Sequence, residues 1–335
     1  MAVEAQRQPV SETKKAISAV RRYAPEAILA ALSSAVLLGL APIFGKQALR
    51  EGMDIFALVV LRTGSAAIIL WIVFAFRARQ YLYIYPAGLI ACATAGFING
   101  IGSLMYYSGL ARLDASVAQL LYTTNPLILA LLLKLDGQPI SRLTLLRMFI
   151  AFPAVAFLIT GGSAHSGRLI GMLLMLGGGF MYALHLAVTQ RTLRDMPSQT
   201  VTLYTLTAMA ITVLPSALAI RTPLTHTPSL AFFGAVGLTV VTVFSRLLLF
   251  VSIKRLGGLQ AALLGLSELL VSIVTAFIFF GEQLTPMQWL AAIALMISVA
   301  LVGREHGLRA HPISEGRLAW VYGVFERIRW PERNG

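Results

Sequence analysis

One cysteine in 335 residues, Cys92, has no partner within the chain and supplies too little sulfur for a cysteine-built zinc site. Charge is almost as scarce. Charged residues make up 12% of the sequence, and only 14 of them are acidic, where a soluble domain carries about 25% charged residues. That deficit excludes an ordinary two-domain cytosolic enzyme, and the apolar excess excludes a disordered chain or a small secreted scaffold. Enzyme signatures are missing too. The sequence has no GxGxxG turn, P-loop, HExxH or GxSxG motif, and no paired carboxylates in its apolar runs that could hold a metal. Neither a filter-like loop nor a ring-forming charge motif marks a pore. No cofactor or metal is expected.

What the chain has in abundance is apolar surface. Hydrophobic residues reach 57% and the mean hydropathy is +0.78, so lipid is the solvent that this composition suits. A membrane-spanning helix needs about 20 mostly apolar residues. Ten such runs are found, near 28–49, 55–76, 87–110, 115–135, 143–162, 169–190, 200–220, 229–253, 259–280 and 286–303. No ten-residue alternation recurs, which argues against spanning strands. The first 27 residues carry Arg7, Lys14, Lys15, Arg21 and Arg22 but no short apolar core with a cleavage site. The first apolar run is therefore expected to stay as an anchor.

The net charge of +13 would suggest nucleic acid in a soluble protein. Here the basic residues lie in short connections and at both tails, where anionic lipid headgroups attract them, and no nucleic-acid partner is expected. With the N-terminus inside, the cytoplasmic connections and tails would hold 20 Lys and Arg. The opposite side would hold five: Lys46, Arg50, Arg112, Arg168 and Arg221. That bias favours ten spans with both termini in the cytoplasm.

A repeat underlies the spans. Ala48-Leu49-Arg50-Glu51 is echoed by Thr192-Leu193-Arg194-Asp195, and Gly137-Gln138-Pro139-Ile140-Ser141 by Gly281-Glu282-Gln283-Leu284-Thr285, both 144 residues on. Between them Ala111-Arg112-Leu113 matches Lys254-Arg255-Leu256 at 143. The spacing implies a duplicated unit of five helices. Five is odd, so the second copy enters the membrane inverted. The expected fold is an all-α membrane protein of ten transmembrane helices in two inverted five-helix repeats, 28–162 and 163–303. They are flanked by a cytoplasmic N-tail (1–27) and C-tail (304–335). Within the C-tail, 318–330 reads as an interfacial amphipathic helix.

Ionisable groups in mid-span carry the most information, since each costs about 2.5–3.5 kcal/mol to insert. They are Arg62, Arg246 and Glu268, with His185 in the sixth run. Glu268 shares a polar stripe with Gln260, Ser267, Ser272 and Thr275, which points to a cavity. It suits a proton carrier or an anchor for an ammonium group; the plainer reading is an ion pair with Arg246, whose helix presents Thr239 and Thr242 on the same face. Arg62 reads as structural, served by a carbonyl or by snorkelling. The third run offers Asn99, Ser103 and Tyr106 on one stripe. The fourth offers Gln119, Tyr122 and Pro126, with Asn125 beside them, and the sixth offers Gly178, Tyr182, His185 and Thr189. Aromatic walls with a few polar groups suit a small-molecule site, while interhelical hydrogen bonding is the bland alternative. Gly39, Pro42 and Gly45, and the run Gly177-Gly178-Gly179, suit kinks or close helix approach.

In these residues the chain resembles the EamA-type transporters of the drug/metabolite transporter superfamily. The resemblance rests on 39–46 (Gly-Leu-Ala-Pro-Ile-Phe-Gly-Lys), Leu61-Arg62, and 106–116 from Tyr106 to Ser116. It continues through Asn125-Pro126, Gly137-Gln138, Lys254 to Gly258, Ser267-Glu268 and Gly281-Glu282-Gln283-Leu284. Two positions depart from the family pattern: Gln138 stands where a glutamate is common, and Leu269 where a proline usually bends the ninth helix. The resemblance implies a central cavity lined by helices one, three, four, six, eight and nine, with alternating access by moving helix bundles. Asn99, Tyr106, Tyr122, His185, Arg246 and Glu268 then become cavity residues. The expected function is a multi-pass carrier of the cytoplasmic membrane. It would move a small metabolite, amino acid or drug-like solute, directed outward and coupled to protons through Glu268, with membrane lipids as its other partners. An integral-membrane enzyme or lipid-handling protein is the alternative.

Overall fold

The computed structural model describes residues 25–135, 166–220, 228–265 and 267–300. The described residues form helices, turns and connections, with no strand. In chain order the helices are α1 (Pro25–Arg50), α2 (Ile55–Arg77), α3 (Pro86–Leu110), α4 (Ala115–Tyr122), α5 (Asn125–Leu135), α6 (Ser166–Asp195), α7 (Ser198–Val213), α8 (Ser229–Leu256), α9 (Gly258–Leu264), α10 (Ser267–Phe280) and α11 (Pro286–Ala300). Seven helical segments among the described residues are long and apolar enough to cross a membrane, counting α4 and α5 as one crossing. The ninth and tenth predicted spans fall on shorter helices, while 143–162, the C-tail and residues 1–24 of the N-tail lie outside the described residues.

Local chemistry sets the ends of these helices. Asp54 caps α2, its carboxylate accepting from the amides of Phe56 (2.8 Å) and Ala57 (3.4 Å). Pro86 opens α3, where a missing N–H costs nothing. Arg50, Arg77 and the pair Lys254 and Arg255 close α1, α2 and α8, at the negative ends of the helix dipoles.

The burial pattern is inverted relative to a soluble protein. Phe76 is 78% exposed while Arg62 is 6% exposed, and Asn99, Gln119, His185 and Arg246 are buried with it. Apolar side chains face outward to lipid and the polar ones converge inside. The longest interfaces are α1 along α8 and α3 along α6, followed by α3 on α7 and α1 on α10, while α4 and α5 both lean on α6. Exchanging each of the first five predicted spans with the span five places later turns α1 on α8 into α6 on α3. It also turns α1 on α10 into α6 on the α4–α5 pair.

Small residues permit the closest approaches. A Cβ at Gly39 would lie 2.7 Å from the Glu268 carbonyl and from Val271 Cβ, so this glycine lets α10 press onto α1. A Cβ at Gly96 would lie 2.5 Å from the Thr205 carbonyl and 2.8 Å from the Met209 amide, both backbone atoms of α7 that cannot rotate away. Gly96→Val is therefore expected to force α3 and α7 apart and to destabilise the protein by about 1–3 kcal/mol. Thermal unfolding in detergent checks this, and an unchanged melting temperature would show that the two helices do not pack through Gly96.

Two of the predicted spans are interrupted. Between α4 and α5, Pro126 has no N–H to give the Tyr122 carbonyl, and Asn125 Nδ2 supplies that bond instead at 2.9 Å. Thr123 and Thr124 return their hydroxyls to the carbonyls of Gln119 (2.7 Å) and Leu121 (2.8 Å). Between α9 and α10 the chain turns at Gly265, and Ser267 Oγ donates to the Leu264 carbonyl at 2.8 Å. Leu269 in place of the usual proline therefore does not leave this span as one continuous helix.

Candidate functional site

The inward polar groups meet at a cavity of about 50 Å³, lined by Arg62, Tyr106, Tyr122, Tyr182, Arg246 and Glu268, among others. Its walls come from α1, α2, α3, α4, α6, α8 and α10. That matches the expected set of helices and adds α2, through Arg62. A second cavity of about 30 Å³ adjoins it, sharing Tyr182 and Glu268 and reaching Gln119, Asn125 and Pro126. Volumes of this size hold a few waters. A drug-sized ligand needs about 300 Å³ or more, so these helices must separate before one can enter.

Glu268 stands at the first turn of α10, beside the interruption. Its Oε1 accepts from Gln119 Nε2 at 2.7 Å, and Gln119 Oε1 in turn accepts from the Tyr106 hydroxyl at 3.2 Å. The amide thus orients both a carboxylate and a phenol. Glu268 and Arg246 face the same cavity but form no salt bridge: Arg246 reaches His185 and Asn99 instead. The ion pair considered from sequence is replaced by a pairing of Glu268 with Gln119.

Arg246, 7% exposed, lies with its guanidinium 5.3 Å from the Tyr182 ring centre. Nη1 lies 3.4 Å from His185 Nε2, and Nη2 donates to Asn99 Oδ1 at 3.5 Å. His185 Nδ1 lies 3.0 Å from the Ala95 carbonyl. A carbonyl can only accept and a guanidinium can only donate, so these partners assign the neutral Nδ1–H tautomer. His185 stands behind Arg246 and positions it, outside the residues lining the main cavity. Asn125 is likewise off the main cavity and closes the α4–α5 interruption. Asn99, Tyr106 and Tyr122 line the main cavity as expected from sequence.

Arg62 is the departure. It neither snorkels nor bonds a carbonyl. Its Nη2 donates to Ser103 Oγ at 2.6 Å and its Nη1 to the Tyr107 hydroxyl at 3.4 Å, and Nε has no partner. Its guanidinium also lies 4.9 Å from the Tyr107 ring centre. Four tyrosines form a row from one arginine to the other: Tyr107 to Tyr106 at 5.0 Å, Tyr106 to Tyr122 at 4.8 Å, and Tyr122 to Tyr182 at 5.3 Å between ring centres. The sequence signals for the two groups missed were present, since Arg62 is a mid-span charge and Gln119 belongs to the stripe with Tyr122.

The model of the EamA-like transporter family matches the chain twice, over residues 25–160 and 169–304. A curated relative, the uncharacterized transporter YcbK of Bacillus subtilis (strain 168), is 26% identical over 208 residues. That alignment covers 59% of this chain and 66% of the relative, just under two thirds of its length. A protein crystal structure at 14% identity superposes with a TM-score of 0.62, over 84% of this chain and 99% of the other. At that identity the likeness concerns the fold.

Proposed function

Because the chain belongs to the EamA-like transporter family and is a multi-pass membrane protein, which in a bacterium places it in the inner membrane, we propose that it is a secondary carrier. It would move a small metabolite, amino acid or drug-like solute by alternating access, with Glu268 as the proton-coupling group. The observation that carries this reading is the cavity in which Glu268, Arg246 and the tyrosine row converge from both halves of the chain. Ten spans in two inverted repeats, 28–162 and 163–303, with both tails cytoplasmic, complete the proposal. The twofold family match and the interchangeable helix partners support the repeat. Interrupted helices at corresponding places in the two halves suit a carrier, since unwound backbone beside a central cavity supplies both ligands and hinges. Asn99, Tyr106 and Tyr122 would wall the site, while Asn125 and His185 would shape it from behind. The enzyme or lipid-handling alternative has no comparable support.

The test is transport by proteoliposomes of purified protein loaded with a pH-sensitive dye and challenged with amino acids, nucleosides, sugars, organic acids and amines. Solute uptake with accompanying proton movement is expected for at least one class; uptake without proton movement would overturn the coupling, and no uptake of any class would overturn the carrier reading. A double variant sharpens the roles. Because Glu268 is held by Gln119, Glu268→Gln/Arg246→Gln is expected to transport no better than Glu268→Gln alone. Normal transport by the double variant would mean that the two residues serve only each other.

A further inference from the structure

The charges of the cavity do not balance. Arg62, Arg246 and Glu268 are the charged side chains that line it, and two guanidiniums against one carboxylate leave one positive charge in excess. Among the described residues neither arginine forms an ion pair with a carboxylate. The ion pairs recorded among the described residues, Arg50 with Glu282 and Arg255 with Glu26, lie elsewhere. Arg62 and Arg246 both line this one cavity. Arg62, 6% exposed, keeps a buried Nε with no acceptor, and both hydrogen bonds of Arg246 are long, at 3.4 and 3.5 Å. A buried cation without a counter-charge is costly, and packing alone does not explain two of them.

We propose that the cavity takes an organic monocarboxylate with a flat apolar body, its carboxylate held by Arg62 and Arg246 and its body against the tyrosine row. Guanidinium forks match a carboxylate with two parallel donors. With Glu268 ionised, one negative charge neutralises the excess, whereas a dianion over-compensates, a zwitterion leaves the excess in place, and a cation adds to it. Tyr106, Tyr107, Tyr122 and Tyr182 line the cavity with ring faces and edges, which suits a planar group. This inference rests on the carrier reading and narrows its substrate class. It also gives Arg62 a role in binding.

The test uses four probes of one shape on the purified full-length protein: benzoate, phenyl phosphate, benzamide and benzylamine. Benzoate is expected to raise the melting temperature at concentrations at least about tenfold below those needed for benzamide, with no rise from benzylamine. Arg62→Lys keeps the charge but loses the fork, and it is expected to weaken the benzoate response about tenfold or more. Arg62→Gln is expected to abolish that response. Should Arg62→Gln fail to fold, the wild-type ranking and Arg62→Lys still decide the matter. Equal responses to benzoate and benzamide, a stronger response to phenyl phosphate or benzylamine, or none to benzoate would each overturn the assignment. If the proteoliposomes carry only amines or zwitterions, this inference falls and the carrier reading stands. Binding of benzoate without transport of any solute would keep the anion site and sink the carrier.

Discussion

Glu268→Gln is expected to yield a folded protein that equilibrates its solute but can no longer accumulate it against a pH gradient. Glutamine is nearly isosteric and keeps a carbonyl oxygen, so it can still accept from Gln119 Nε2, the 2.7 Å contact that orients Glu268. It cannot take up or release a proton. Glu268 is the carboxylate among the described residues lining the central cavity, and it sits where α10 begins after the turn at Gly265, a point that a rocking helix bundle would move. Coupling to one proton per solute is worth about 1.36 kcal/mol per pH unit, a tenfold concentration ratio. Wild-type proteoliposomes should approach that ratio for each pH unit imposed, whereas the variant should settle at unity and lose its rate dependence between about pH 5 and pH 8. The melting temperature supplies the folding control. A variant that still accumulates solute tenfold per pH unit would remove Glu268 from the coupling role.

How far the sequence led to this site depended on whether the relevant physics is local. Apolar runs of about 20 residues register the cost of an exposed backbone in lipid, and that cost is read one segment at a time. The helices α1, α2, α3, α6 and α8 accordingly lie within a few residues of their predicted runs. The insertion cost of a charge is also local, so Glu268, Arg246 and Arg62 all stood out. Their partners did not. Opposite charge made Arg246 the obvious neighbour for Glu268, yet a neutral amide 149 residues away, Gln119, holds it. Arg62 could be served by a carbonyl or by snorkelling as far as spacing tells; only the approach of α3 brings Ser103 and Tyr107 to it. The proline that usually bends this span is Leu269 here, yet a turn still precedes Glu268. It forms instead where Gly265 and Ser267 supply chain freedom and a hydroxyl for the Leu264 carbonyl. Each miss concerns a partner or a bend fixed by tertiary packing.

The same distinction hid Glu282, whose replacement by glutamine is expected to open the cavity toward one membrane face. The connection after α10 brings the Glu282 carboxylate to the start of α4. There it accepts from the Ala115 amide (3.1 Å), the Ser116 amide (3.0 Å) and the Ser116 hydroxyl (3.0 Å). Asp114 precedes α4 but makes no side-chain cap, so a residue from the far half of the chain performs that task. Arg50 at the end of α1 adds a salt bridge at 3.5 Å and lies 4.3 Å from the Phe280 ring centre. Lys46, one turn earlier, donates to the carbonyls of Leu110 and Leu113. Together these contacts tie α1, α3, α4 and α10 at the face that the charge bias assigns to the outside. The position 144 residues earlier is Gln138, which carries no charge for an equivalent clasp. On the alternating-access reading Glu282 therefore favours closure at this face. Hydrogen bonds to a charged group contribute about 1.5–3 kcal/mol, so Glu282→Gln should raise the open population about ten- to a hundredfold. Cys92 is fully buried, which leaves a quiet background for a reporter at Ala41→Cys on the cavity wall. A membrane-impermeant thiol reagent applied from that face should label the reporter about ten- to a hundredfold faster in Glu282→Gln. An unchanged labelling rate in a variant that retains its melting temperature would show that Glu282 only caps α4 and does not hold the face shut.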